Sequence, residues 1–580
     1  MKKIWPFIII EILIFSTISA IASPEHSASD IKKINVSMQI SKPLIEDENE
    51  FISVNLMEGN SYLLESGKPM LPTINKVFTL PFGSKINSID VIYEGLNKIL
   101  LQKNVKPSIK PNPIQMNIEI DKDIEIYGSS NIFPQEKFSY RTGSGVSNGE
   151  HVLFLTVQCY PVWYNPGENV LYYCNSIGID ISYDEGNRID TTMDEYDLVV
   201  ISPDIFTFSL NRFINHKNSH RVKTFLKDLD EIYNEYPGRD KQEQIKYFVK
   251  DAIETYGIDY VLLVGSIKHM PIRQTAVECW GDKYVPTDLY YADVYDDHGN
   301  FCSWDSNNND IFGEFNWDFG KIDQVDLYAD VMIGRIPCHT NFDLKIVINK
   351  IIRYENSAYG KNWYNKILLL GGDTFPNHGV IEGEFVTDLI ADEMNAFEPV
   401  RLWTSRDNFN PLSIDSWTSS GAGFISYSGH GYITGFGTSP PNVEERIEYF
   451  NYHLLGMFNG YKLPIVFFDA CLTATLDYKW HDIIDQPGFA YNVMIKPLGG
   501  AIASIGATRV AYTDVDRHGV HAGAGYLNLH FFMNYEKGIT VSEMLTKSQN
   551  DYLNHVGDDC LTIEEFILVG DPTLKTGGYP

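Results

Sequence analysis

Two apolar runs decide how this chain folds: Phe424-Ile425-Ser426-Tyr427, followed by Ser428-Gly429-His430-Gly431, and Leu463-Pro464-Ile465-Val466-Phe467-Phe468, followed by Asp469-Ala470-Cys471. Short apolar runs bounded by turn residues are typical of buried parallel strands. In open α/β sheets, reactive groups meet in the crevice beyond the carboxyl ends of the strands. The sequence therefore predicts that His430 and Cys471 project into one crevice.

A cysteine and a histidine placed in this way form a nucleophile and its base, because an imidazole that takes the thiol proton makes the sulfur reactive. Gly429 and Gly431 flank His430 and let the backbone bend sharply. We expect the amides of Gly431 and Cys471 to hold a developing oxyanion. The alternative is a loop histidine and a buried structural thiol. The coincidence of both signals at consecutive strand ends favours the catalytic pair.

The segments Tyr427–Gly431 and Phe468–Cys471 resemble the His-Gly and Ala-Cys motifs of the gingipain family of cysteine peptidases, which shares the caspase-like fold. The resemblance extends to other stretches on both sides of these motifs, namely Tyr260–Gly265, Val331–Pro337 and Phe566–Leu574. It implies an α/β catalytic domain of two subdomains, in which a mostly parallel sheet carries helices on both faces.

The same resemblance implies an activity. We expect a thiol protease that cleaves peptide bonds through a Cys471 thioester, with His430 as acid and base. Two other classes of function are compatible with this fold. One is a non-catalytic extracellular binding or adhesion protein, and the other is a transpeptidase that uses the same acyl-enzyme.

A third apolar run, Ile367–Leu370, ends in Gly371-Gly372-Asp373. A carboxylate at this place could orient the imidazole of His430 and stabilise its charged form. In the resembled family an acidic residue at the matching place assists the histidine, which makes Asp373 the third candidate catalytic residue. The alternative is an aspartate that caps the following turn.

Classical gingipains cut after Arg or Lys, so the resemblance implies an acidic substrate pocket. Glu382 and Glu384 follow the third strand at a suitable distance, and Tyr512 and Asp514 fall in the predicted pocket wall. These four residues are the candidate substrate-binding residues, with Asp516 as a further acidic option.

The N-terminus has the pattern of a secretory signal peptide. Lys2 and Lys3 precede an apolar run, and Ala20-Ile21-Ala22 supplies a small-x-small cleavage site. Glu11 inside the run leaves an uncleaved anchor as the alternative. We therefore expect a secreted protein that has no membrane attachment once residues 1–22 are removed.

The predicted secondary structure changes from strands alone to alternating strands and helices after about residue 190. Residues 23–190 alternate strand-like runs with turn clusters, which predicts an all-β domain. Strands then alternate with helical periodicity, which predicts a covered parallel sheet with subdomains at 195–357 and 358–580. Gly67–Pro72 resembles the gingipain-type propeptide, which implies that the β domain is an inhibitory pro-domain; a β-sandwich with a binding role is the alternative. Arg188, at the junction, is a candidate for self-processing or an ordinary linker residue.

An Asn-rich loop suggests a structural calcium ion. Asp305, Asn307 and Asn309 place oxygen side chains at alternate positions, and Glu314 follows five residues later. The loop is not an EF-hand, because its sixth position is Asp310 rather than glycine. An Asn-rich turn without metal is the alternative. No organic cofactor is expected.

Charge and cysteine content limit the partners and the cross-links. The formal net charge of −30 argues against a nucleic-acid partner and against an anionic membrane surface. The expected partners are polypeptide substrates and the chain's own pro-domain. The seven cysteines are an odd number, so in an oxidising compartment at least one is unpaired or paired to another chain. If the others pair, the free thiol is assigned to Cys471. Cys159 and Cys174 lie symmetrically about Pro166-Gly167, which predicts a cross-strand disulfide.

Overall fold

The computed structural model describes residues 31–48, 50–108, 112–113, 122–186, 189, 195–317, 320–480, 484–485 and 488–580. The predicted signal peptide, residues 1–22, and the candidate processing site Arg188 lie outside the described residues. Within those residues, no helix combines the length and the apolar character that a membrane span requires.

The N-terminal region is all-β apart from one helical turn, as the sequence predicts. Its elements are β1 (Lys32–Gln39), β2 (Leu44–Glu48), β3 (Phe51–Asn55), β4 (Ser61–Tyr62), β5 (Pro72–Pro81), β6 (Lys85–Glu94), β7 (Asn97–Leu100), β8 (Asn112–Pro113), α1 (Ile124–Tyr127), β9 (Phe138–Ser147), β10 (Glu150–Cys159), β11 (Val162–Asn165), β12 (Val170–Tyr173) and β13 (Ser176–Asp184). The strands form small antiparallel sheets, ordered β1-β13-β6, β4-β5-β10-β9 and β11-β12-β7. We refer to this region as the β domain.

Alternation of apolar and polar residues explains these sheets. Ile177, Ile179 and Ile181 of β13 are buried at every second position, because successive side chains of a strand point to opposite faces. They pack in one core with Leu155 and Val157 of β10. The β domain thus has a hydrophobic core of its own.

The predicted disulfide is absent. In the β11–β12 hairpin Val162 pairs with Tyr173, and the amide of Cys174 donates to the carbonyl of Pro161. Cys159 is therefore not opposite Cys174, because the hairpin register differs from the symmetry assumed around the Pro-Gly turn. Both residues are buried free thiols.

The remaining chain alternates strands and helices. The first part contains β14 (Leu198–Ser202), α2 (Asp204–Ser219), β15 (Thr224–Asp228), α3 (Leu229–Glu235), α4 (Lys241–Tyr256), β16 (Tyr260–Val264), β17 (Arg273–Thr275), β18 (Val285–Thr287), α5 (Leu289–Ala292), β19 (Phe315–Asn316), β20 (Gly320–Lys321), β21 (Met332–Ile336) and α6 (Asn341–Ser357). The second part contains β22 (Lys366–Gly371), α7 (Glu382–Glu393), β23 (Glu398–Trp403), α8 (Pro411–Ser420), β24 (Phe424–Ser428), β25 (His430–Tyr432), β26 (Gly435–Thr438), β27 (Ile447–Phe450), β28 (Ile465–Asp469), β29 (Lys479–Trp480), β30 (Ile484–Asp485), α9 (Phe489–Ile495), β31 (Ala503–Ala507), β32 (Tyr512–Asp516), β33 (Gly519–Ala522), α10 (Gly523–Met533), α11 (Val541–His555), α12 (Cys560–Glu565) and β34 (Phe566–Val569). Short 3-10 helices lie at Asn362–Asn365, Thr404–Arg406 and His453–Gly456.

One ten-stranded sheet unites both parts, in the order β15-β14-β16-β21-β34-β31-β28-β24-β22-β23. Neighbouring strands are parallel throughout, except that β31 and β34 are antiparallel. The sheet therefore consists of two parallel halves that run in opposite directions and meet at the last strand of the chain. The mostly parallel α/β sheet predicted from the sequence is confirmed.

Local sequence signals place the helices that cover this sheet. Asp240 caps the N-terminus of α4 by accepting from the amide of Glu243, and Gly257 ends that helix in the left-handed conformation. Thr340 and Asp343 form a capping box at the start of α6. Such caps satisfy backbone groups that the first and last turns of a helix leave without partners.

The β domain contacts the α/β region through buried and partly buried hydrogen bonds. Thr156 donates to the side-chain oxygen of Asn554 at 2.8 Å, and Asn75 donates to the carbonyl of His555 at 2.8 Å. The amide of Ser144 donates to the carboxylate of Asp326, also at 2.8 Å. These bonds join β5, β9 and β10 to the α/β region, largely through α11.

Candidate active site

The register of β24 and β28 brings the candidate catalytic residues to equivalent places. Ser428 pairs with Asp469 in these parallel strands, and His430 and Cys471 each follow two residues later. A Cβ atom on Gly431 would lie 2.1 Å from the carbonyl oxygen of Cys471 and 2.8 Å from its amide nitrogen. The two strand ends thus touch through the backbone, and only glycine fits at position 431.

Cys471 sits at a sharp turn against the next segment of the chain. Leu472, directly after it, has a φ of 59°, a conformation that is strained for a branched side chain. The amide of Leu472 donates to the carbonyl of Arg509 at 2.8 Å. The thiol of Cys471 donates to the carbonyl of Ala511 at 3.6 Å. Residues 509–511 therefore form the wall beside the sulfur.

A main-chain carbonyl holds the imidazole of His430. Nε2 of His430 lies 3.0 Å from the carbonyl oxygen of Thr374, so this nitrogen carries the proton. Burial, and after it the positive charge of Arg446, lowers the pKa of His430 to about 3. The imidazole is therefore neutral at neutral pH, and its Nδ1 keeps a lone pair that can accept a proton.

The thiol of Cys471 is also neutral at rest. Burial raises its pKa to about 12, and the carboxyl of Glu565 adds to this effect. A neutral thiol and a neutral imidazole fit a reaction in which the proton moves as the sulfur attacks, rather than a preformed thiolate.

Asp373 lies at the end of β22, next to Thr374, but its carboxylate faces another group. Its Oδ2 accepts from the amide of Asn442 at 2.7 Å, and its Oδ1 has no hydrogen-bond partner among the described residues. Burial raises the pKa of Asp373. The chain segment of Asp373 positions His430, although the contact runs through the carbonyl of Thr374.

The residues predicted for substrate binding fall into two places. Glu382 accepts from the amides of Thr374 and Phe375 at 3.1 and 3.2 Å, and burial raises its pKa to about 7. Glu384 accepts from the amide of Ser405 at 2.8 Å. Glu382 therefore braces the loop that carries the Thr374 carbonyl, whereas Glu384 braces the turn at Ser405.

The other two predicted residues lie on the wall strand. Tyr512 and Asp514 belong to β32, immediately after Ala511. Burial raises the pKa of Asp514, and His521 acts in the opposite direction. Both residues therefore lie on the strand that directly follows the wall residue Ala511.

Two acidic residues near the sulfur were missed by sequence reasoning. Asp469 accepts from the hydroxyl of Ser428 at 2.6 Å, and burial raises its pKa to about 7. Neither carboxyl oxygen of Glu565 has a hydrogen-bond partner in the part of the chain that the structure describes, and burial raises its pKa well above its usual range. Asp469 could have been found from its position as the last residue of the apolar strand β28. Glu565 is the last residue of helix α12, next to Glu564, and has no such signal.

The Asn-rich loop does not gather its four predicted ligands around one point. Asp305 accepts from Arg239, while Glu314 accepts from the amide nitrogens of Asn307 and Asn309 at 2.8 and 2.7 Å. Arg239 thus supplies the positive charge at Asp305, and calcium binding to this loop stays a prediction.

A second acidic cluster lies nearby on the surface. Among the described residues, one group of side-chain ligands lies within 4.8 Å of one another, namely Asp296, Asp297 and His298. These residues are partly or fully exposed.

The β domain reaches the wall beside the candidate nucleophile. Asn112 and Pro113 of β8 pair antiparallel with Thr513 and Tyr512 of β32. A segment from the N-terminal region thus adds a strand next to Ala511, the residue that accepts the hydrogen bond of Cys471.

A large α/β sheet with a cysteine and a histidine at adjacent strand ends defines the caspase-like class of fold. Residues 191–577 match the family model of peptidase family C25. This match covers more than half of the chain, which belongs to peptidase family C25.

The chain is similar to characterised members of the family. It is 23% identical to gingipain R1 of Porphyromonas gingivalis over 493 residues, which are 77% of this chain and 43% of that protein. It is 25% identical to gingipain R2 of the same organism over 291 residues, which are 49% of this chain and 33% of that protein. The chain thus spans less than half of the length of these relatives.

Two solved structures match part of this chain. A complex of the RgpB pro- and mature domains of P. gingivalis matches with a TM-score of 0.49 and 21% identity, over 66% of this chain and 79% of that one. The Arg-specific cysteine proteinase gingipain R matches with a TM-score of 0.49 and 20% identity, over 66% of this chain and 78% of that one.

Proposed function

We propose that this chain is a secreted cysteine endopeptidase made as a zymogen. The observation that supports the proposal is the close approach of Gly431 to the backbone of Cys471, which joins the two neighbouring strand ends that carry His430 and Cys471. Membership of peptidase family C25 supports the same reaction class.

In the proposed reaction, Cys471 attacks the scissile carbonyl while its proton moves to Nδ1 of His430. The amides of Gly431 and Cys471 stabilise the oxyanion. The imidazolium then gives its proton to the leaving amine, which leaves a thioester on Cys471. Water, deprotonated by His430, hydrolyses the thioester and restores the thiol. The Thr374 carbonyl keeps the imidazole oriented throughout, because it accepts from Nε2.

The zymogen proposal rests on the strand that the β domain adds at the wall. Because Asn112 and Pro113 occupy the edge of β32, a substrate strand has no access to that edge until the β domain leaves. Secretion is supported by the signal-peptide pattern of residues 1–22.

We also propose cleavage after basic residues. Asp469 and Glu565 are buried acids whose charges act on the Cys471 thiol, and the structure gives neither of them an ion pair within its described residues. A basic side chain in the substrate would neutralise such an acid. The relatives named gingipain R include one whose solved structure is described as Arg-specific, which supports the same preference.

The test is a comparison of two cysteine variants. Cys471→Ala should abolish both peptide hydrolysis and labelling by an electrophilic peptide, whereas Cys338→Ala should leave both intact, because Cys338 is a buried free thiol elsewhere. A library with each residue type before the scissile bond gives the specificity. Persistent labelling in Cys471→Ala would refute the assignment, and trapping by added amines in preference to water would favour transpeptidation.

A further inference from the structure

The two reacting groups of the candidate site have neighbours of opposite chemical type. The side-chain charges that act on the Cys471 thiol are those of the acids Glu565 and Asp469. The imidazole of His430 instead has a guanidinium near it. Burial is the main cause of the low pKa of His430, and the positive charge of Arg446 lowers this pKa further. Acidic groups therefore surround the sulfur, and a cation stands beside the imidazole.

A small antiparallel sheet brings Arg446 to this place. The strands are ordered β25-β26-β27, and His430 is the first residue of β25. His430 pairs with Gly437 of β26, and the next residue of β26, Thr438, pairs with Ile447 of β27. Arg446 directly precedes Ile447. It therefore lies at the end of the sheet that holds His430.

Arg446 has no carboxylate partner in this position. Its side chain is partly buried, and Nη1 donates to the hydroxyl of Tyr432 at 3.1 Å. Within the described residues, the guanidinium forms no ion pair, although the same segment carries Glu444, Glu445 and Glu448. Glu448 acts on the Tyr432 hydroxyl instead. The planar fork of an arginine matches the two oxygens of a carboxylate, so this guanidinium can accept a carboxylate from outside the chain.

The place beside the imidazole indicates which part of a substrate Arg446 meets. In the proposed reaction His430 gives its proton to the leaving amine, so the segment after the cleaved bond passes close to the imidazole. The net charge of −30 repels carboxylates from the molecule as a whole. A cation at this point offsets that repulsion for an acidic leaving segment.

We infer that Arg446 is a specificity-determining residue, which binds a carboxylate in the peptide segment that follows the cleaved bond. An acidic side chain and the free C-terminus of a short leaving peptide both present this group. Together with the proposed preference for a basic residue before the bond, the site selects bonds that lie between a basic residue and an acidic group. This inference rests on the proposed peptidase function.

The first test needs no peptidase activity. Iodoacetate and iodoacetamide alkylate the same thiol, but only iodoacetate carries a carboxylate. In the full-length protein, Arg446→Gln should lower the ratio of the iodoacetate rate to the iodoacetamide rate at Cys471 about fivefold, and Arg446→Lys should restore part of the ratio. Mass spectrometry of the peptide that contains Cys471 gives both rates. A general change in the reactivity of the thiol cancels in the ratio.

The matched control is Arg212, an exposed arginine of α2 on the other half of the large sheet. Arg212→Gln removes the same charge from the molecule and should leave the ratio unchanged.

The second test uses the active form that the full-length chain yields. Four peptides share one basic residue before the cleaved bond and carry glutamate or glutamine after it, each with a free or an amidated C-terminus. The carboxylate that Arg446 binds should raise kcat/KM about fivefold over its neutral counterpart, and the pair of peptides that differs identifies its source. Arg446→Gln should reduce this ratio to about one, whereas Arg212→Gln should keep it.

The outcomes separate the two proposals. A lowered alkylation ratio in Arg446→Gln without cleavage of any peptide would refute the peptidase function and support the carboxylate site. Cleavage of all four peptides at equal kcat/KM would overturn the inference and leave the peptidase function standing, and an alkylation ratio that Arg446→Gln does not change would also overturn the inference. If Arg446→Gln does not fold, the comparison of the four peptides with the unmodified protein decides the question.

Discussion

The two halves of the ten-stranded sheet are built alike but run in opposite directions. Strands β15, β14, β16, β21 and β34 form one parallel half, and β31, β28, β24, β22 and β23 form the other. They meet at the antiparallel pair β31–β34. The carboxyl ends of the strands in the two halves therefore point in opposite directions. His430 and Cys471 both follow strands of the second half.

A cluster of buried charges on the first half and the buried groups of the candidate site differ in their ion pairs. On the first half, the fully buried Lys217 lies 2.8 Å from Glu355 and 2.6 Å from Asp571, and Arg335 pairs with Asp288. Near the carboxyl ends of the strands in the second half, three titratable residues are buried without any ion pair among the described residues, namely His430, Asp469 and Glu565. Their pKa values move toward the neutral forms because burial is not compensated.

The difference teaches where stability and reactivity reside in this protein. Paired buried charges fix one geometry and are expensive to break. Titratable groups that burial leaves neutral are poised for proton transfer and for contact with a charged substrate. The comparison predicts that mutations in the first half act on folding and that those at the second edge act on chemistry.

His430→Ala should have the largest effect on activity. Loss of the proton acceptor should lower kcat by about 10²- to 10⁴-fold, while the midpoint of thermal unfolding changes little. Steady-state kinetics and calorimetry on the same preparation measure both quantities. An inactive variant that is also strongly destabilised would contradict the separation of the two regions.

Lys217→Met should have the converse effect. It leaves the carboxylates of Glu355 and Asp571 buried without their cation, so the free energy of unfolding should fall by about 3–5 kcal/mol. Activity per folded molecule should stay unchanged. The matched control is Lys350→Met, because burial, and after it the charge of Lys496, lowers the pKa of this lysine to about 7 and no carboxylate pairs with it among the described residues. Denaturant unfolding should give a clearly smaller loss for the control.

Asp469→Asn should change how stability depends on pH. Burial raises the pKa of Asp469 from its ordinary value of 3.8 to about 7, so the folded state loses stability as pH rises through this interval and the loss is complete above about pH 7. The variant lacks this group and should be more stable than the parent above pH 7, by at most a few kcal/mol. Below pH 4 the difference should vanish. Unfolding curves of both proteins at pH 4, 6 and 8 measure this. A stability difference that is the same at all three pH values would contradict the assignment.

Glu565→Gln should make the Cys471 thiol more acidic. Because the carboxyl of Glu565 helps to raise the pKa of Cys471, its replacement should move the pH dependence of alkylation by iodoacetamide to lower values. The rate is followed by mass spectrometry of the peptide that contains Cys471. An equal change at Cys338 would indicate a general loosening of the fold instead.

Calcium should have the smallest effect. Arg239 already neutralises Asp305, so calcium added to the Asn-rich loop should raise the unfolding midpoint by no more than about 2 °C. Chelator should reverse this rise, and Glu314→Gln should abolish it. A large loss of stability with chelator in Glu314→Gln would indicate a calcium site elsewhere.

Much of the architecture could be predicted because apolar runs report strands directly. The register of β24 and β28 agrees with the prediction that His430 and Cys471 occupy equivalent strand ends. The disulfide prediction was wrong, because symmetry about Pro166-Gly167 does not determine which residues pair in a hairpin. The role of Glu565 could not be predicted from the sequence, because about a hundred residues separate it from Cys471 along the chain. Only folding brings the two residues together.

The sequence by itself determined which segments become strands, where the β domain gives way to the α/β region, and which cysteine and histidine stand at neighbouring strand ends, since these features depend on local side-chain pattern. The tertiary structure decided the opposite directions of the two sheet halves, the use of the Thr374 carbonyl to hold His430, and the contact of Lys106 in the β domain with Asp516 of β32. Side-chain periodicity is the same for a strand that runs in either direction, and contacts between distant residues arise only when the chain packs. The chemistry of the site therefore follows from residues the sequence names and from an environment that packing alone creates.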